Sequence, residues 1–211
     1  TIYNQSDNVR GTLSGAQEDI MSAILLCALL LYIFLQTFRA TMVTVVTIPV
    51  CLMGSFIVMN KLGISLNTLS MMGITLSVGM VVDATTVVLD NVDKHLQKGE
   101  SPMVATAAGA KEVAFSVIGG VLTTVAVFSP IAFMSGIVGR FFKAFGITVI
   151  LTISLSLVLS MTLTPFLCSR ILKKTRLSKI GAWCAARCTS MEVAYRAALT
   201  QAVNHRKITM L

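Results

Sequence analysis

The sequence predicts an all-α, polytopic membrane protein: five transmembrane helices followed by a C-terminal amphipathic surface helix. Three observations predict it. Hydrophobic residues make up 55% of the 211 residues and charged ones only 12%, where an ordinary soluble domain has about 45–50% and about 25%. The mean hydropathy is +0.83. Uncharged runs of 19 to 27 residues recur, at Ile20–Phe38, Ala40–Asn60, Leu62–Val82, Val113–Gly139 and Ala144–Ser169. Each meets the ~20 residues that a helix needs to cross a ~30 Å hydrocarbon layer. A disordered chain, a coiled coil and a soluble globule are excluded together.

The elements follow in order within a bundle read over residues 18–170. The first span is expected over about 19–36, with Asp19 near its start, where an acid suits the helix dipole. A short turn, Gln36–Ala40, carries Arg39. The second span, about 40–59, contains Pro49, which a membrane helix tolerates when neighbours satisfy the freed carbonyl. A turn at Asn60–Ser65 leads to the third span, about 66–92. A polar connection, Asp90–Lys111, follows, and within it Ser101-Pro102 forms a helix start, with Ser as N-cap and Pro at the first helical position. The fourth span, about 113–134, has Pro130 near its end. A Gly-rich turn with Arg140 and Lys143 precedes the fifth, about 144–168, with Pro165 in its last turns.

Residues 171–203 are basic and amphipathic, with Ile180, Trp183, Arg187, Met191, Tyr195, Ala198 and Ala202 at helical spacing. This pattern suits a helix lying on the membrane surface; the other reading is a linker helix buried against protein. The chain opens on Thr1, without a signal-peptide pattern, and a new apolar run opens at Ile208 after His205-Arg206-Lys207, so residues 204–211 read as the start of another span. Both ends are expected to continue in a longer protein.

There are 17 Lys and Arg against 9 Asp and Glu, a formal charge of +8. The cations cluster at span ends and in the C-terminal stretch, which points to membrane lipids with anionic headgroups; no basic-aromatic platform suggests nucleic acid. Arg39, Lys94, Lys98, Lys111, Arg170, Lys173, Lys174, Arg176, Lys179 and Arg187 fall on one side of the bundle, and Arg10, Lys61, Arg140 and Lys143 on the other. The positive-inside rule makes the first side cytoplasmic, including the amphipathic helix, and sets the N-terminal end outside. Five cysteines and two histidines assemble no metal-ligand spacing, and Cys27, Cys51 and Cys168 lie in apolar runs, where Cys acts as a small hydrophobe.

Asp83 is the one ionisable residue well inside an apolar run, in Gly79-Met80-Val81-Val82-Asp83-Ala84. A charge at the centre of a membrane helix costs ~2.5–3.5 kcal/mol on insertion scales. Gly79, Asp83, Thr86 and Asp90 are spaced to share one helical face, and Asn91 is read with them as part of a polar stripe. Ser70, Gly73 and Ser77 recur one to two turns away and allow close helix approach. A membrane carboxyl that gains and loses a proton suits proton-coupled transport; the other reading is a polar contact gluing two helices.

Longer runs carry a resemblance. Phe34-Leu35-Gln36-Thr37-Phe38-Arg39-Ala40, Ile48-Pro49-Val50, Gly63-Ile64-Ser65-Leu66-Asn67-Thr68-Leu69-Ser70, Gly79 to Asp83, Val87-Val88-Leu89-Asp90-Asn91-Val92, Phe128-Ser129-Pro130-Ile131-Ala132-Phe133 and Leu163-Thr164-Pro165 together resemble the resistance-nodulation-division (RND) efflux transporters, from about Ile20 to Leu172. The resemblance implies the second to sixth helices of a twelve-helix protein in the bacterial inner membrane. Residues 1–17 then end a periplasmic domain, 171–203 join the two halves, and 204–211 open the seventh helix. It implies Asp83 as proton-relay carboxylate, protons as the coupling ion with no other cofactor, no enzymatic activity, and export of drugs or amphiphiles by a homotrimer docked to a periplasmic adaptor and an outer-membrane channel. The basic mate of Asp83 would come from a later helix.

Two departures stand out. Well-known multidrug members carry a second Asp where this chain has Ala84, and Asp90 replaces the more usual Glu. Metal-exporting members carry an acid six positions before the relay Asp; Ser77 stands there, which favours the hydrophobe/amphiphile branch. Among rivals, an intramembrane aspartyl protease lacks its Gly-x-Gly-Asp and its second membrane Asp, and an ATP-driven pump lacks a GxxxxGK[ST] loop. A protein-export auxiliary of the same superfamily and a non-transporting structural subunit remain as alternatives.

Overall fold

The computed structural model describes residues 5–35 and 37–172, with Tyr195 and Thr200. The described residues form six helices: α1 (Gln5–Leu35), α2 (Phe38–Lys61), α3 (Thr68–Gln97), α4 (Pro102–Ala132), α5 (Gly136–Met161) and α6 (Leu163–Ile171). Four stretches are long and apolar enough to cross a membrane: Phe38–Lys61, Thr68–Gln97, Pro102–Ala132 and Gly136–Ile171. The Ile20 run lies in α1. The amphipathic stretch 171–203 and residues 204–211 lie outside the described residues beyond Leu172, apart from Tyr195 and Thr200.

Several boundaries differ from those expected. Helix α1 begins at Gln5, so the polar stretch before Asp19 is largely helical and continuous with the first apolar run. The expected polar connection from Asp90 to Lys111 shrinks to a turn between Gln97 and Pro102. Lys94, Leu96 and Gln97 are good helix formers, and at 30 residues α3 is ~45 Å long, so it extends past the ~30 Å hydrocarbon layer. Gly99, at φ +95°, supplies the left-handed residue that closes such a helix end. The Gly-rich segment with Arg140 and Lys143 is not a turn but the first part of α5. The fifth span breaks at Thr162 and resumes as α6, because Pro165 has no N–H for the Met161 carbonyl and its ring crowds that turn. Pro49, by contrast, stays inside an unbroken α2.

At its N-terminus α3 is fixed by a capping box: Asn67 Oδ1 accepts from Ser70 N at 2.8 Å, and Asn67 N donates to Ser70 Oγ at 2.9 Å. Among the described helices α3 alone packs against all five others. Its inner faces carry Ile74, Val78 and Val81, buried with Ile48, Cys51 and Met59 of α2, and further along Val88, Leu89 and Val92, buried with Ala40, Val43 and Cys168.

Small residues set the spacing. A methyl group added at Gly73 would meet the Phe145 carbonyl oxygen at 3.1 Å, and one at Gly146 the Ala132 nitrogen at 2.8 Å. This is the close approach that membrane helices use, where packing rather than water exclusion drives association. The buried hydroxyls between the helices mostly turn back on their own backbone. Thr47, Ser55, Ser77, Thr85 and Thr152 each donate to the carbonyl four residues earlier, at 2.7 to 3.0 Å, so they enter an apolar interior without an unmet donor.

Candidate functional site

Asp83 stands near the middle of α3, on an exposed face. It borders a cavity of about 250 Å³ between α3 and α4, lined also by Met80, Val87, Ser116, Gly120 and Thr124 and reached by Ile153 of α5. Among the described residues its carboxylate has neither a hydrogen bond nor an ion pair. Val82 and Ala84 on either side of it are buried. The chain therefore holds one carboxylate in the middle of its central span, beside the hydroxyls of Ser116 and Thr124 and open to whatever occupies that groove.

Gly79, Asp83 and Asp90 lie on the same outward face of α3, as their spacing predicted, and Thr86 is half-buried beside them. Each differs in detail. A methyl group added at Gly79 would touch nothing within 4 Å, so close approach happens at Gly73 rather than here. Thr86 Oγ1 is buried without a hydrogen-bond partner among the described residues. Asp90 pairs with Lys94 at 2.7 Å one turn along its own helix, both side chains more than half exposed, a geometry that contributes about 0.3–0.5 kcal/mol.

Asn91 does not belong to that stripe. Its Nδ2 donates to the Gly109 carbonyl at 2.9 Å and to Glu112 Oε2 at 2.9 Å, both on α4. The approach is tight because Gly109 has no side chain: a methyl group there would lie 2.9 Å from the Val92 nitrogen and Cα. One turn on, the buried ring of His95 stands between two carboxylates. Nδ1 faces both oxygens of Glu100 at 3.0 Å, and Nε2 faces Glu112 Oε2 at 3.1 Å, off the line of an ideal hydrogen bond. Sequence reading missed His95, Glu100 and Glu112, and the hydroxyls of Ser116 and Thr124. Only a lone histidine in a charged connection marked the first group, and nothing in the sequence set it apart.

Apolar spans packed around an acid-bearing central helix define a polytopic α-helical membrane protein. The sequence matches the AcrB/AcrD/AcrF family over residues 1–211. The chain belongs to that family, which lies within the RND transporters that its motifs resemble.

Proposed function

We propose that this chain forms the relay half of a proton-motive-force-driven exporter of drugs or amphiphiles, with Asp83 as the carboxylate that binds and releases the coupling proton. One observation supports the reading: Asp83 is the sole ionisable side chain in the middle of α3, the helix on which the bundle packs, and no described residue forms an ion pair with it. An ionised group in that place must meet a cation or water, and a protonated one need not. Proton uptake therefore favours one arrangement of the helices around α3 over another, and two such states biased by a proton are the minimum for antiport.

Ala84 is buried beside Asp83 and leaves a single titrating group at this level. Ser77, where metal-exporting members carry an acid, is buried and donates to the Gly73 carbonyl at 2.7 Å, which supports the hydrophobe/amphiphile branch. In this reading the transporter is a homotrimer in the bacterial inner membrane, surrounded by lipid and docked to a periplasmic adaptor and an outer-membrane channel. The ends of α3 and α4 that bear Asp90, Lys94 and Lys111 face the cytoplasm.

Replacing Asp83 by Asn in the intact transporter tests this. Asn keeps the shape and can still bond a neighbouring helix, but it cannot carry the proton. The expected result is loss of drug resistance at unchanged abundance. Resistance retained at normal abundance would take Asp83 out of the mechanism.

A further inference from the structure

We propose that His95 is a positioning residue: protonated, it locks the ends of α3 and α4 into one unit, and on losing its proton it releases them. The contacts form a continuous clasp. Asn91 holds the Gly109 carbonyl and Glu112, the absent side chain of Gly109 lets α4 rest on the backbone of Val92, and His95 bridges Glu100 in the turn to Glu112 on α4.

A neutral imidazole has one N–H and one acceptor nitrogen. With a carboxylate facing each ring nitrogen, only the imidazolium donates toward both. The neutral ring would set a lone pair against one carboxylate. The charged groups acting on the ring are Glu100 and Glu112, with Lys98 close to Glu112. On its own helix Asp93 is tied to Gln97, and Lys94 to Asp90. Arg39 of α2 and Arg170 of α6 are exposed. No described cation other than His95 stands between the two acids, so a rise in pH removes the one positive charge that faces both, and leaves Glu112 held by Asn91 but no longer bridged to Glu100.

The lock itself does not depend on the function proposed above. Its consequence for transport does: if Asp83 is the relay, α4 moves with the relay helix only while the lock is closed. Amide hydrogen exchange across residues 99–112 of the intact transporter in nanodiscs, corrected for intrinsic rates from pH 5.5 to 8.5, reads the lock directly. Protection in the wild type should fall about tenfold across the imidazole range, the factor associated with losing one charge-assisted hydrogen bond. His95→Gln should give the low protection at every pH. Glu100→Gln, at a more accessible position, should shrink the step without unfolding the bundle. His95→Arg, charged throughout, should abolish the step and keep the high protection. A wild-type protection that does not change with pH, or a step that survives in His95→Gln, overturns the proposal. Asp83→Asn should leave the step intact, which separates a failure of the lock from a failure of the relay.

Discussion

Helices α3 and α4 are neighbours of almost the same length, yet they are built on opposite terms. Half of the apolar window of α3 is buried inside the bundle, but only 11% of that of α4. The exposed side of α4 is a broad apolar and small-residue face, with Phe115 at 88% and Leu122 at 59% exposed, and a methyl group added at Gly119 or Gly120 would touch nothing. Its tight contacts are concentrated at Gly109, at Val117 and Val121, and where Ala132 meets Gly146. The lesson is that hydropathy does not measure packing in a membrane protein. Both helices are apolar enough for lipid, and only the placing of small residues and hydrogen-bonding groups decides which one becomes the hub.

Substitutions that act on one helix and spare the other sharpen this contrast. The largest effect is expected from Ile74→Ala on α3, a fully buried side chain in the core shared with α2. Unfolding in detergent micelles should show a loss of about 2–5 kcal/mol. Gly109→Val comes next. Its side chain would press on the Val92 backbone, and overpacking of this kind costs about 1–3 kcal/mol. It should also weaken the Asn91 bond to the Gly109 carbonyl, visible as faster amide exchange over the turn. Phe115→Ala removes a large ring that is 88% exposed and should change the stability of this bundle by no more than about 0.5 kcal/mol. Lys94→Ala, which breaks only the exposed pair with Asp90, should cost about 0.3–0.5 kcal/mol at low salt and less at high salt. If Phe115→Ala matched Ile74→Ala, the contrast between the two helices would be wrong.

The spans were legible from the sequence because long uncharged runs have one stable solution in lipid, a helix. Ser101-Pro102 marked the start of α4 through local chemistry alone. Gly79, Asp83 and Asp90 were placed on one face by helical spacing, which needs no knowledge of neighbours. Asn91 was misassigned for the converse reason: it is adjacent to Asp90 in sequence, and only α4 shows that it points the other way. The extent of α3 was underestimated because charged residues read as a loop when they are in fact the part of the helix that emerges from the lipid.

By itself, then, the sequence determined the class of protein, the number of apolar runs and the single acid within them, since each follows from transfer energies and a fixed helical period that act residue by residue. Which helix stands at the centre, that Asp83 has no ion-pair partner among the described residues, and that His95 stands between Glu100 and Glu112 were decided by tertiary structure alone. A uniformly apolar helix carries no signal of which face meets protein and which meets lipid, and groups at positions 91, 95, 109 and 112 become neighbours only once two helices have docked.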